Sequence, residues 1–330
     1  MIKFGIIGTS WITEEFIRCA KLHADFKVNA VYSRSEEKAQ LFAKKVGADH
    51  IFTNLKTMAE SDLIDAVYIA SPNSLHAEQA ILFLNHKKHV LCEKSAAANS
   101  AEMKEIIRAA KSNQVAFMEA LKTTFEPGMR AIKANLSKLG KIRRYFSSYC
   151  QYSSRYDAYK AGTYNNTFNP EFANGALMDL GVYCIYPLVY LFGKPDQILA
   201  SAIKLDSGVD GQTTVICQYA DMDAVLMFSK ITASTVPSEI QGEAATLSFY
   251  SINEIEEVTI RYNDIKTAKE ELVFDPSRDY MYYETKAFIE MIQQNKIESS
   301  ENTFQLALDV RKLMDEVRKQ IGLVFPNDKK

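Results

Sequence analysis

The chain has 330 residues, 47% of them hydrophobic, and its 39 basic and 41 acidic residues give a formal net charge of −2. A chain of this length can bury a substantial core and suggests about two domains. It has no long run of either charge, so the sequence lacks an electrostatic footprint for nucleic acid or an anionic membrane, and a small-molecule partner is favoured. No secretory leader and no apolar stretch of membrane-spanning length is evident, which predicts a cytoplasmic protein.

The cysteines and histidines form no recognisable ligand pattern. The five cysteines lie far apart without a CxxC pair, and the five histidines show no HExxH-like spacing. We therefore expect neither disulfides nor a metal site.

The first twenty residues predict a strand, a tight turn and a helix. An apolar run over 2–7 precedes Gly8-Thr9-Ser10, and residues 11–22 place apolar side chains at helical spacing. The backbone N–H groups at such a helix start can hold a pyrophosphate. The match to GxGxxG is partial, because Ser10 and Thr13 stand at the second and third glycine positions. An ordinary strand-to-helix turn explains this stretch equally well.

The alternation of strands and helices continues to about residue 121. Strands are predicted at 26–33, 50–53, 65–71, 88–92 and 115–119, with helices at 36–46, 74–86 and 99–112. This βαβ repetition predicts a doubly wound parallel Rossmann sheet, whose ligand binds beyond the carboxyl ends of the strands.

The second strand ends in Ser33-Arg34-Ser35, where a carboxylate for a ribose 2′-hydroxyl is expected ~20 residues after the glycine turn. A hydroxyl and a guanidinium suit a 2′-phosphate instead, which favours NADP over NAD as the cofactor. The alternative is a plain capped helix start, with Ser35 as the N-cap and Lys38 on the next turn.

The second half of the chain predicts an α+β domain with a large open, mostly antiparallel sheet. Its strand patterns lie at 141–152, 197–205, 212–219, 223–231, 238–250 and 255–262, and helices are predicted near 128–137, 280–292 and 303–321. The strand around Ala224–Phe228 is apolar on both faces, which favours a homodimer or higher homo-oligomer built through the sheet.

Residues 153–174 are polar and aromatic, lack a regular period and lead directly into an apolar helix at 175–191. Loops longer than ~12 to 15 residues are often functional, so we interpret this segment as a substrate-covering loop rather than a plain surface connection. Its candidate substrate contacts are Arg155, Tyr164 and Asn165.

Five segments occur in one order along the chain: GIIGTSWIT, VYSRS, YIASPNSLH, CEKS and GALMDLGVYCIYPLVYLFG. On these segments the sequence resembles the Gfo/Idh/MocA oxidoreductases, the NAD(P)-dependent enzymes related to glucose-fructose oxidoreductase and inositol dehydrogenase. Its most specific marks are Glu93-Lys94 and the run from Gly175 to Tyr183. The family usually has proline where Ser95 stands. Many members carry histidine at the position of Tyr183. A tyrosine there resembles the glucose-fructose oxidoreductase and dimeric dihydrodiol dehydrogenase branches.

The resemblance implies an NAD(P)-dependent oxidoreductase acting on a hydroxyl or carbonyl group of a sugar, a polyol or a related small molecule. It implies a dinucleotide-binding domain over 1–121 and a substrate-binding and oligomerisation domain over 122–330, with the last helix packing back towards the first domain. The alternative from another class is a sensor or regulator that keeps the fold and the cofactor without turnover.

The expected catalytic residues are Lys94, Asp179 and Tyr183. In a regular helix Asp179 and Tyr183 share one face, and they are also candidate substrate contacts. Lys94 is a candidate partner for both, and its ammonium would favour the phenolate of Tyr183. The expected cofactor contacts are Gly8, Thr9, Ser10, Trp11, Ile12, Ser33, Arg34, Lys38, Ala70, Ser71, Pro72, Asn73, His76, Glu93 and Lys94.

Overall fold

The structure, a computed structural model, describes residues 1–163, 166–275 and 279–329. The chain divides into two compact units, Met1–Lys122 with Asp279–Leu308, and Thr123–Arg278 with Asp309–Lys330. Each unit is built around one sheet.

The first unit holds a six-stranded parallel sheet in the order β3-β2-β1-β4-β5-β6. Its strands are short and mostly buried, as expected for a sheet that has helices over both faces. They are β1 (Ile2–Ile7), β2 (Phe26–Tyr32), β3 (His50–Phe52), β4 (Ala66–Ile69), β5 (His89–Glu93) and β6 (Phe117–Ala120). The helices between them are α1 (Trp11–Ala20), α2 (Glu36–Val46), α3 (Leu55–Glu60), α4 (Asn73–Asn85) and α5 (Ser100–Asn113). The predicted doubly wound sheet is confirmed, whereas α3 was not predicted.

A later part of the chain completes this unit. The His23 ring at the end of α1 stacks on Tyr282 with 4.0 Å between ring centroids, and Arg18 of α1 pairs with Asp279 at 2.5 Å. Phe304 and Ala307 join the apolar core cluster of the same unit.

The second unit holds an eight-stranded sheet in the order β14-β13-β12-β11-β7-β10-β9-β8. Its strand pairs are antiparallel except β7 with β10, so the predicted open, mostly antiparallel sheet is confirmed. The strands are β7 (Ile142–Cys150), β8 (Gln197–Lys204), β9 (Asp210–Gln218), β10 (Asp223–Ser229), β11 (Ser238–Gly242), β12 (Ala245–Phe249), β13 (Val258–Tyr262) and β14 (Glu270–Glu271). The remaining helices along the chain are α6 (Pro127–Asn135), α7 (Tyr156–Lys160), α8 (Val182–Phe192), α9 (Tyr280–Gln293) and α10 (Phe304–Ile321).

Two predicted elements of this unit are wrong in detail. The single strand predicted over 238–250 is two strands, β11 and β12, because the chain turns at Glu243 and Ala244. The backbone N–H groups of these turn residues donate to the carbonyls of Lys141 and Leu139, so tertiary hydrogen bonds fix a turn that the local sequence does not predict. The regular helix predicted over 175–191 begins with a π-helical turn, Leu177–Gly181, before α8.

Among the described residues, one segment, Pro170–Phe192, is long and apolar enough to span a membrane. Most of this segment lies buried inside the protein, which is typical of a core helix.

Candidate active site

The turn between β1 and α1 presents backbone donors at the edge of the first sheet. Gly8 has a φ of +108°, and a Cβ built there would lie 2.5 Å from the carbonyl oxygen of Ala70, so glycine is required. The first N–H groups of α1, at Trp11 and Ile12, have no carbonyl partner within the helix. Thr9 and Ser10 are exposed, and the Ser10 hydroxyl makes no capping hydrogen bond. This donor set fits a pyrophosphate.

The loop after β2 supports both interpretations of its sequence. Ser35 caps α2, since its hydroxyl accepts from the backbone N–H of Lys38 at 3.3 Å, and the Ser33 hydroxyl accepts from the N–H of Ser35. Arg34 and Lys38 are exposed, and within the described part of the chain the Arg34 guanidinium has no partner. The loop therefore combines a capped helix start with a cation that is available to a 2′-phosphate.

His76 connects the loops that follow β4 and β5. Its side chain is 1% exposed, and its two ring nitrogens lie 2.6 Å from the carbonyl oxygen of Ser71 and 2.9 Å from that of Ser95. Ser95 follows Lys94 through a cis peptide bond. Ala70, Pro72 and Asn73, the other predicted contacts in the first of these loops, are half-buried.

Glu93 is buried beneath the second of these loops. It accepts a hydrogen bond of 2.6 Å from the phenol of Tyr68, whose ring is stacked on Phe16 at 3.6 Å. Burial raises the pKa of Glu93, and the Tyr68 hydroxyl and the neighbouring Lys94 charge oppose this rise. Tyr68 was missed in the sequence, where it looks like one more strand residue. Lys94 itself is half-buried and belongs to the first unit.

Asp179 and Tyr183 lie in the second unit, where the π-helical turn passes into α8. The Asp179 carboxylate forms an ion pair with Lys230, a residue that the sequence reasoning missed. Lys230 follows β10, where a lysine looks like a solvated charge, yet it is only 5% exposed. The Asp179 side chain is 32% exposed.

Tyr149, at the end of β7, links the two predicted catalytic groups of this unit. Its ring contacts that of Tyr183 edge to face, with 5.6 Å between centroids. Burial raises the pKa of the Tyr149 phenol, and the negative charge of Asp179 raises it further. Asp179 and Tyr183 therefore both lie near the ring of Tyr149. The sequence offered no signal for Tyr149.

Asp210, the first residue of β9, fixes the start of the π-helical turn. Its carboxylate accepts from the backbone N–H of Leu177 and from the Thr213 hydroxyl, both at 2.8 Å. Burial raises the pKa of Asp210 to about 6, although these two hydrogen bonds oppose the rise. Gly175 has a φ of +133°, and a Cβ there would collide with the Asp210 carboxylate.

The segment 153–174 contains α7 and a cluster of aromatic rings. Lys160 lies over the rings of Tyr152 and Tyr156, and Phe168 packs against Tyr156 and Tyr159. Arg155 is exposed at the start of α7. The two other predicted contacts, Tyr164 and Asn165, lie outside the described residues.

Comparison with known proteins agrees with the fold. Residues 2–121 match the GFO_IDH_MocA family, described as an oxidoreductase family with an NAD-binding Rossmann fold, and residues 130–248 match the GFO/IDH/MocA C-terminal domain. Among solved structures, the 3-ketoreductase KijD10 of Actinomadura kijaniata, in complex with NADP and TDP-benzene, superposes with a TM-score of 0.86 over 97% of this chain and 98% of that one. At 22% identity, this likeness shows the fold alone.

Two curated relatives match over almost the whole chain. The sequence is 53% identical to scyllo-inositol 2-dehydrogenase (NADP(+)) IolU of Bacillus subtilis, with 99% of each chain covered. It is 43% identical to the uncharacterized oxidoreductase YgjR of Escherichia coli, again with 99% of each chain covered. The chain therefore belongs to the GFO/IDH/MocA family of oxidoreductases.

Proposed function

We propose that the chain oxidises a CH–OH group of a cyclic polyol, or reduces the corresponding ketone, with NADP as its cofactor. The relative that is 53% identical carries scyllo-inositol and NADP(+) in its name. The observation that carries the proposal is that a carboxylate, Asp179, and a phenol, Tyr183, both lie near Tyr149 in the second unit. A carboxylate can orient a substrate hydroxyl, and a phenol can exchange the proton of the reacting hydroxyl.

The cofactor assignment rests on the donors at the edge of the first sheet. The turn 8–12 offers backbone N–H groups and hydroxyls for the pyrophosphate, and Ser33 and Arg34 offer a hydroxyl and a guanidinium for a 2′-phosphate. When bound, the nicotinamide supplies or accepts the hydride.

The protein handles the proton and the orientation of the substrate. In the oxidative direction Tyr183 takes the proton of the reacting hydroxyl, and in the reductive direction it returns this proton to the carbonyl oxygen. Asp179 accepts a hydrogen bond from a substrate hydroxyl. Lys94, in the first unit, is the second candidate acid.

The outer face of the second sheet is the proposed surface for a second copy of the chain. Ala224, Leu226 and Phe228 are fully buried on the inner face, whereas Val225 is half-buried on the outer face. An apolar row crosses four strands there, formed by Phe146, Val225, Ile216 and Leu199 in register. Leu199 is 67% and Ile216 40% exposed, which favours burial in a homo-oligomer. With all five cysteines free, we place the protein in the cytoplasm.

The test combines turnover with an independent measure of cofactor binding. NADPH absorbance is followed with scyllo-inositol, other inositols, aldoses and their keto forms. Trp11, the only tryptophan, is 71% exposed at the start of α1 and reports cofactor binding by its fluorescence. Turnover of a cyclic polyol supports the proposal. Tight NADPH binding without turnover across the panel favours the sensor instead.

A further inference from the structure

Lys230 is a buried lysine that the proposed mechanism does not yet use. Its backbone is held on both sides, since its N–H donates to the carbonyl of Gly211 at 2.8 Å and its carbonyl accepts from the N–H of Ser153 at 2.9 Å. Its side chain ends at the Asp179 carboxylate. A buried ammonium is costly unless it is paired, and lysine is among the residues that are least often fully buried.

Residues at the adjacent ends of two strands contact the π-helical turn. Lys230 follows β10 and pairs with Asp179, while Asp210 begins β9 and binds the N–H of Leu177. Because β9 and β10 are antiparallel neighbours, the start of one lies beside the end of the other. The turn is therefore fixed at its first residue and at its carboxylate.

The two carboxylates near Lys230 differ in what else they can contact. Asp210 is fully buried and already accepts two hydrogen bonds. Asp179 is partly exposed, so its carboxylate can meet both Lys230 and a ligand. A carboxylate held in this way accepts a hydrogen bond from a hydroxyl in a defined direction.

We infer that Lys230 is a positioning residue: its ammonium orients the Asp179 carboxylate so that this carboxylate binds a hydroxyl next to the reacting carbon and selects vicinal diols as substrates. This inference rests on the proposed polyol oxidoreductase function. Lys230 acts through Asp179 and does not touch the reacting atoms.

The experiment compares Lys230→Met with wild type on scyllo-inositol and on cyclohexanol, which lacks neighbouring hydroxyls. A misplacement of about 1 Å can cost ~10²-fold in rate, so kcat/KM for scyllo-inositol should fall by about that factor. The value for cyclohexanol should stay within about twofold, because cyclohexanol has no hydroxyl next to the reacting carbon for Asp179 to bind. NADPH affinity from Trp11 fluorescence should not change. Lys230→Arg keeps the charge and should recover part of the loss.

Two further variants separate positioning from a merely structural role. Lys138→Met is the matched control, because Lys138 also pairs with a carboxylate of the second unit, that of Glu270, but lies at the surface. It should leave both substrates unaffected. Adding Lys230→Met to Asp179→Asn should cause no further loss of diol selectivity, since both changes remove the same contact. This double variant also leaves no unpaired buried charge, so it serves if Lys230→Met alone does not fold.

Equal losses for the two alcohols, or wild-type diol selectivity in Lys230→Met, overturn the inference. A wild type that turns over no polyol contradicts the proposed function instead. In that case the carboxyl ¹³C resonance of Asp179 decides the positioning claim. Its titration should move to higher pH in Lys230→Met, because loss of the neighbouring ammonium favours the protonated acid. An unchanged titration overturns the pairing.

Discussion

Replacing Asp210 with asparagine should change how the stability of the protein depends on pH. The Asp210 carboxyl is fully buried, and burial raises its pKa from the ordinary 3.8 to about 6. The folded protein therefore holds this proton more tightly than the unfolded chain, so the free energy of unfolding is greatest below the unfolded pKa and falls as the pH rises through the folded one. At ~1.36 kcal/mol for each pKa unit, the full decrease is about 3 kcal/mol.

The assay is urea unfolding of the wild type and of Asp210→Asn, followed by circular dichroism between about pH 4 and pH 7. The difference in unfolding free energy, wild type minus variant, should fall by about 2 to 3 kcal/mol over this range, because asparagine cannot ionise. Asp221→Asn is the control: Asp221 is exposed and a hydrogen bond from Lys141 lowers its pKa, so any slope should have the opposite sign. If the unfolding free energy of the wild type minus that of Asp210→Asn stays constant or rises with pH, the reasoning is refuted.

Three other predictions concern the cofactor, the proton and the sheet. Arg34→Ala should weaken NADPH binding, read from Trp11 fluorescence, by ~1.5 to 3 kcal/mol, the range for hydrogen bonds to charged groups, and leave NADH almost unaffected. Tyr183→Phe should lower kcat by ~10² to 10⁴ with NADPH affinity nearly intact, and Lys94→Ala should lose at least as much. Ile216→Lys should shift the mass from light scattering to that of a monomer, because it puts a charge in the apolar row.

Each of these predictions has its own contrary result. Equal losses of NADPH and NADH affinity in Arg34→Ala would exclude the 2′-phosphate contact, with Arg108→Ala as a remote control on α5. A Tyr183→Phe enzyme that keeps more than about a third of kcat, with chemistry rate-limiting, removes Tyr183 from the mechanism. A wild type that is monomeric at micromolar concentration refutes the oligomer proposal. The control is Ile265→Lys, in a solvent-exposed turn, which should leave the mass from light scattering unchanged.

The sequence predicted the fold well where the pattern is local. Apolar runs of four to seven residues identify β1, β2, β4, β5 and β6, since a central parallel strand must be buried on both faces. The hairpin β11–β12 was not predicted, because its turn residues, Glu243 and Ala244, are not typical turn residues. Their backbone N–H groups donate to the carbonyls of Lys141 and Leu139. Such long-range hydrogen bonds cannot be predicted from a sequence window of about ten residues.

The candidate site was predictable only for residues that stand in a motif. Asp179 and Tyr183 could be chosen because they are one helical turn apart in an apolar run, but Lys230 lies 51 residues away from Asp179. Nothing in a single sequence distinguishes a buried lysine that pairs with a distant carboxylate from a lysine that lies in solvent. Tyr149 was not predicted as a site residue, because its contact with Tyr183 forms only when β7 packs against α8.

The glycines of the 175–183 run show how such a motif combines packing with chemistry. Gly175 is required because a side chain would strike the Asp210 carboxylate, and Gly181 because a Cβ there would lie 2.8 Å from the Phe228 ring of β10. Both glycines let the helix start press against β9 and β10. That close approach brings Asp179, which lies between them in sequence, within reach of Lys230 at the end of β10. The glycines thus act through packing, and the carboxylate that they bring to Lys230 is the proposed substrate contact.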